Sequence, residues 1–259
     1  MIFLTFDTEE FDSPLPYSQA MTFEQQMEIS QKGTKSILDL LQRKKIKATF
    51  FCTAIFAIHA PDIVRRIVDE GHEVASHGYY HNRFEEVHLK SSRIALEELT
   101  GRKIEGFRMP FMGKVAIDKV AAAGYIYDSS LNPTYIPGSY NNLSKPRRCF
   151  YKNGLFQIPA SVSFPFRIPL FWLSLHNFPL WIYSRMCLNA VKKDGYLNLY
   201  LHPWEFEELD SPTIDLAWYI KRNSGQKLLN RLERLIDSFQ ERGFKFGLLK
   251  DSVAKFGQK

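Results

Sequence analysis

Cysteine is scarce in this 259-residue chain, which has three: Cys52, Cys149 and Cys187. Their odd number and wide spacing exclude a disulfide framework and a cysteine zinc site, and predict buried thiols in a reducing compartment. An excess of one charge is lacking too. Thirty-four Lys and Arg against 28 Asp and Glu leave a net charge of +6, and the basic residues are dispersed, so nucleic acid is not an expected partner. No apolar run is long enough to span a bilayer. Ile168 to Ser184 carries no Asp, Glu, Lys or Arg, yet it falls short of the roughly 20 residues required and contains Pro169, His176 and Pro179. Asp7 arrives before a signal peptide's apolar core is complete, which predicts a cytoplasmic protein. Repeats, low-complexity tracts and linkers are absent. The remainder is 45% hydrophobic and 24% charged, which suits one large core and one domain over 1–259.

Strand-length apolar runs alternate with stretches of helical period, the pattern of an α/β domain. Strands are expected at Ile2 to Phe6, Lys47 to Thr53, Glu73 to Ser76, Phe107 to Pro110, Tyr125 to Tyr127, Tyr196 to Leu201 and Phe244 to Leu249. Helices are expected at Phe23 to Arg43, Pro61 to Glu70, Ser91 to Thr100, Ile117 to Ala123 and Lys227 to Arg242, several of them closed by glycine. Residues 132–190, rich in proline and aromatics, break the rhythm and read as an excursion of loops and short elements.

Three groups of residues can carry chemistry, each at the end of an expected strand, where parallel α/β folds assemble their sites. Asp7, Glu9 and Glu10 follow the first strand. His77 and His81 follow the third and would share one face if the segment coils into a helical turn, a spacing that suits a divalent cation if a nearby carboxylate joins them. His202, in Leu201-His202-Pro203-Trp204-Glu205, ends another strand and has the pKa range of a general acid or base.

In order, Thr5-Phe6-Asp7, His77-x-x-x-His81, Arg108-Met109-Pro110-Phe111, Tyr127-Asp128-Ser129-Ser130 and Leu201-His202-Pro203 resemble the polysaccharide deacetylase family, carbohydrate esterase family 4. The resemblance covers residues 1 to about 205, with Phe244 to Val253 similar to the family's last strand. Asp-x-Glu, Tyr-Asp-Ser-Ser and His-Pro-Trp-Glu together resemble a branch associated with bacterial exopolysaccharide or surface-glycan biosynthesis. The resemblance implies a distorted, incomplete (β/α)7-type barrel holding one divalent metal ion, zinc first, with cobalt, nickel, manganese or iron as alternatives. His77 and His81 would be metal ligands and Asp7 the base that deprotonates the attacking water. The Phe111 backbone N–H would stabilise the oxyanion, and His202 would protonate the departing amine. Arg108 would orient Asp7, and Asp128 would steer His202. Pro110, Tyr200 and Trp204 are expected to contact substrate, Tyr200 sharing the face of His202 by strand alternation.

Two departures stand out. Thr8 occupies the position of the family's metal-binding aspartate, so Glu9, favoured over Glu10, is the expected replacement. Asn82 replaces the proline that usually follows the second histidine. The expected activity is N-deacetylation of an amino sugar in a polysaccharide or lipid-linked glycan. A formamide or cyclic-amide hydrolase and an inactive glycan-binding protein are the alternatives. The aromatics between Ala160 and Ala190 suit sugar stacking, peripheral membrane contact or a satellite core. Oligomeric state is not readable from the sequence.

Overall fold

Strand alternation decides which side of the sheet each residue of the first strand meets. In β1 (Ile2–Thr8), Ile2, Leu4 and Phe6 join the main apolar cluster beneath the helices, while Phe3 joins a second cluster with Phe51, Ala75, Tyr127, Phe156 and Tyr196. Thr5 and Asp7 continue that second row. The computed structural model describes residues 1–12, 21–210, 214 and 216–257.

After β1 come α1 (Phe23–Lys44), β2 (Thr49–Cys52), α2 (Ala54–His59), α3 (Pro61–Asp69), β3 (Glu73–Ser76), α4 (Val87–Thr100), β4 (Gly106–Phe107), α5 (Ile117–Ala122) and β5 (Tyr127–Asp128). A small hairpin, β6 (Tyr135–Ile136) and β7 (Tyr140–Asn141), precedes β8 (Phe150–Lys152) and β9 (Leu155–Gln157). Then follow α6 (Trp172–Asn177), α7 (Leu180–Asp194), β10 (Leu197–Leu201), α8 (Trp218–Lys221), α9 (Gln226–Glu241) and α10 (Asp251–Phe256).

Eight strands form one sheet in the order β10-β1-β2-β3-β4-β5-β9-β8, parallel except for the β8–β9 pair. That pair turns on Asn153 and Gly154, both at positive φ, the dipeptide that favours a two-residue hairpin. The sheet curls until its far side returns to β10. Beyond β9 the Ser161 N–H donates to the Asn198 carbonyl at 2.9 Å, and the Asn198 N–H donates to Ser161 Oγ at 2.9 Å. This is the expected incomplete barrel, with its inner row of side chains rising to the carboxyl ends of the strands.

Helices cover the outer face with the apolar stripes their sequences carry. Helix α9 buries Leu228, Leu229, Leu232, Leu235, Ile236 and Phe239, each worth about 1.5–3 kcal/mol on leaving water. Helix α1 starts from a capping box between Thr22 and Gln25 and presses on the turn after β10. A Cβ at Gly33 would lie 1.8 Å from the Pro203 carbonyl oxygen, so only glycine permits this approach beside His202.

Two expectations need correcting. Phe244 to Leu249 is not a full strand: it pairs with β1 only at Ile2, in an isolated parallel bridge to Phe246, and β2 takes that edge of β1 from Thr5 onward. The excursion contains the 15-residue helix α7. Its prolines border helices instead of preventing them, Pro179 standing immediately before α7, whose far end is capped by Gly195 at φ 84°. Cys52 and Cys187 are buried and all three cysteines are free; burial pushes the Cys52 thiol up to about 12. Among the described residues no helix is long and apolar enough to cross a membrane.

Candidate active site

Asp7 and Glu9 flank Thr8, and the two-residue period of an extended strand sends both carboxylates to the inner side. Thr8 itself is buried. Glu9 Oε2 lies 3.2 Å from His77 Nε2 and 3.0 Å from His81 Nε2. The three residues offer ligand atoms within 4.8 Å of one another, and all three are buried. Glu10 instead holds the loop: its Oε1 accepts the His81 backbone N–H at 3.0 Å and its Oε2 accepts the Thr53 hydroxyl at 2.8 Å.

Each histidine of this trio is oriented through its other ring nitrogen. His77 Nδ1 donates to the Arg108 carbonyl at 2.9 Å, and His81 Nδ1 meets Asp12 Oδ1 at 2.6 Å. With the Nδ1 protons so used, both rings direct Nε2 toward Glu9, and a bound cation would displace the proton that His81 otherwise keeps there. Trp204 Nε1 donates to Glu9 Oε1 at 3.2 Å, whereas Glu9 Oε2 is buried without a hydrogen-bond partner among the described residues. Two imidazole lone pairs and an unpartnered carboxylate oxygen suit a divalent cation. Burial opposes ionisation of Glu9, but His81, His77 and His202 together outweigh it and hold the carboxyl down at about 2. His81 is raised, against its burial, to about 9 by Glu9 and Asp12.

Asp7 and His202 face each other nearby, His202 Nε2 lying 4.0 Å from Asp7 Oδ2. The buried Arg108 guanidinium donates to Asp7 Oδ1 at 2.6 Å and to Thr5 Oγ1 at 2.8 Å, and it lies 4.0 Å above the Phe51 ring. Arg108 is fixed in turn by the Ser129 carbonyl and hydroxyl. His202 Nδ1 and backbone N–H both meet Glu205 Oε1, at 2.6 and 2.7 Å. Burial lowers the pKa of His202, but Glu205, Glu9 and Asp7 together raise it above the ordinary histidine value.

The structure therefore corrects Asp128 as the partner of His202. Asp128 Oδ1 accepts from the Ser130 N–H and hydroxyl, which ties it to its own turn, and burial raises its carboxyl to about 6. The carboxylate on His202 is Glu205, placed by the tight turn that Pro203 starts. Its signal was the spacing His-x-x-Glu, which acts here as a capping box.

A cavity of about 380 Å³ joins these groups. Asp7, Glu9, His77, His81 and His202 line it together with Phe111, Tyr200 and Trp204. Pro110 is buried near Gly78 and is not among the residues that line the cavity. Phe111 sits on the left-handed backbone at φ 56°, its ring 4.1 Å from that of His81. Its backbone thus turns sharply at the cavity edge, a strained arrangement for a bulky residue. The excursion divides its aromatics. Phe171 and Trp172 line the cavity, Tyr183 is core, and Phe164, Phe166 and Trp181 are exposed. Composition alone could not sort them.

Residues 1–125 match the family model described as polysaccharide deacetylase. A peptidoglycan-N-acetylglucosamine deacetylase of Bacillus cereus is 34% identical over 103 residues, 38% of this chain and 36% of the relative, so the aligned segment spans about a third of that protein. A Mycobacterium smegmatis protein solved as a polysaccharide deacetylase is similar in fold with a TM-score of 0.64 at 21% identity, over 92% of this chain and 82% of that one. The Puue allantoinase reaches a TM-score of 0.63 at 19% identity, over 96% and 87% of the two chains. At these identities the structural likeness shows the fold. Motif order, the family match over residues 1–125 and the curled sheet agree: the chain is similar to the polysaccharide deacetylase family and shares the fold of its solved structures.

Proposed function

We propose that this protein is a metal-dependent hydrolase that removes the N-acetyl group of an amino sugar in a bacterial polysaccharide or lipid-linked glycan, as part of exopolysaccharide or surface-glycan biosynthesis. One observation carries the reading. Asp7 and His202, each fixed by a buried hydrogen-bonding partner, face each other across 4.0 Å beside the convergent Glu9, His77 and His81. A binding protein has no need of two opposed proton-handling groups there.

Glu9, His77 and His81 would hold the cation, with zinc proposed first from the donor set. When bound, it supplies positive charge that polarises the amide carbonyl and makes a neighbouring water more acidic. The chain's own residues do the rest. Asp7, clamped by Arg108, accepts the water proton, and the Phe111 backbone N–H is the proposed donor to the oxyanion. His202 Nε2 donates to the departing amine while Glu205 holds Nδ1. Tyr200 and Trp204 border the acyl and sugar positions.

A second reading keeps the site and changes the bond, to a formamido sugar or a cyclic amide. The apolar walls at Phe111, Met112, Ile136, Phe171 and Leu216, and a fold shared with an allantoinase, favour considering it. The approach of Glu9 to both histidines weakens the argument from Thr8 for an inactive protein. The test is acetate release from N-acetylated glucosamine oligosaccharides and peptidoglycan fragments by the zinc-supplemented protein, with formamido and cyclic-amide substrates in parallel. Acetate from the parent and none from Asp7→Asn supports N-deacetylation. Turnover of only the parallel substrates moves the assignment to the second reading.

A further inference from the structure

Behind His202 the hydrogen bonds continue to a second histidine that touches neither cavity nor cation site. Glu205 Oε1 is taken by His202, and Glu205 Oε2 lies 2.9 Å from His176 Nε2 on α6. His176 Nδ1 lies 2.7 Å from the Arg222 carbonyl oxygen. A carbonyl oxygen only accepts, so Nδ1 carries a hydrogen. Away from the cation site, where no metal can lie between them, two bare acceptors do not sit 2.9 Å apart, so one proton must lie between His176 Nε2 and Glu205 Oε2. On nitrogen it makes an imidazolium beside a carboxylate; on oxygen, a neutral imidazole beside a carboxylic acid. Either way the pair sums to zero, as the complete burial of both side chains requires.

The geometry points to His176 as a positioning residue for the proton donor: it shares one proton with Glu205 and presents Glu205 to His202 as a partner without net charge. This rests on the reading of His202 as the donor. A bare carboxylate in that place would grip the His202 proton more tightly and resist its transfer to the amine.

The other charges around the chain of bonds are accounted for. Asp7 and Glu9 face His202 from β1, and Arg222 offers His176 its carbonyl. Arg231 on α9 donates to the Leu175 and Phe178 carbonyls on either side of His176, and Tyr183 on α7, near Glu205, is held neutral by burial. Asn223 donates to the His176 carbonyl at 2.6 Å, fixing the backbone that carries the ring.

The experiment is a ring-nitrogen NMR titration of the full chain labelled in histidine, saturated with zinc, with the His202 signal assigned through His202→Gln. In His176→Phe and His176→Gln the His202 midpoint should rise by about one pH unit or more, because Glu205 becomes a full anion. In Glu205→Gln it should fall. An unchanged or lowered midpoint in the folded His176 variants overturns the proposal, as does a rise with Phe but not with Gln, which would make packing the cause. If His176→Phe does not fold, His176→Gln decides alone, since it still offers an N–H to Glu205. The measurement reads no turnover, so its failure is distinguishable from failure of the deacetylase reading.

Discussion

The cation trio and the proton donor are built with the same device and differ in what the far ring nitrogen meets. His81 Nδ1 meets Asp12 at 2.6 Å, and His202 Nδ1 meets Glu205 at 2.6 Å. On the far side, His81 Nε2 stops 3.0 Å from an oxygen of Glu9 that has no hydrogen-bond partner among the described residues. His202 Nε2 stops 4.0 Å from Asp7, whose other oxygen is saturated by Arg108. One arrangement concentrates unshared electron pairs and suits a cation. The other leaves room for a reacting group between an acid and a base. A brace on the near nitrogen thus fixes orientation, and the far neighbour decides between ligand and proton carrier.

Removing the histidines themselves should break the contrast most. His202→Ala should lower turnover about 100- to 10,000-fold while zinc stays bound, as checked by initial rates and metal analysis of one sample. His77→Ala and His81→Ala should fail to retain zinc after dialysis, and activity should go with it. Replacing the braces should act more weakly. Asp12→Asn should lower zinc affinity about 10- to 100-fold in a competition titration, whereas Glu205→Gln should leave affinity unchanged and reduce turnover.

The smallest effect expected is at Asp128. Asp128→Asn should change turnover only a few-fold. Burial raises the Asp128 carboxyl from its ordinary value of 3.8 to about 6. Its folded pKa lies above the unfolded one, so its stabilising contribution is complete below about 4 and disappears as pH rises through 6. The asparagine variant should therefore gain stability over the parent, on the order of 1–3 kcal/mol, between pH 4 and 7 in denaturant unfolding.

The parts legible in the sequence were those where period and position coincide. Asp7, His77 and His202 each follow an apolar strand, and alternation along β1 put Asp7 and Glu9 on one side. The choice between Glu9 and Glu10 needed the loop's three-dimensional path, because Glu10 turns back to Thr53 and the His81 backbone. Glu205 was visible as His-Pro-Trp-Glu, but its partner depended on the turn's geometry. His176 lay in a stretch whose prolines and aromatics masked helices α6 and α7, so nothing local marked it. Asn153-Gly154 carried a readable hairpin signal for β8 and β9. Phe244 to Leu249 has strand composition, but it pairs with β1 only at Ile2, beyond which β2 takes the same edge.

The division between cation trio and proton-handling pair is tested most directly by Glu9→Gln and Asp7→Asn, measured side by side for zinc affinity and for acetate release at saturating zinc. Asp7→Asn should bind zinc like the parent and release almost no acetate, while Glu9→Gln should bind zinc markedly more weakly, with Glu10→Gln as the control that does not. Parent-like zinc affinity in Glu9→Gln, or parent-like acetate release from Asp7→Asn, would contradict the account.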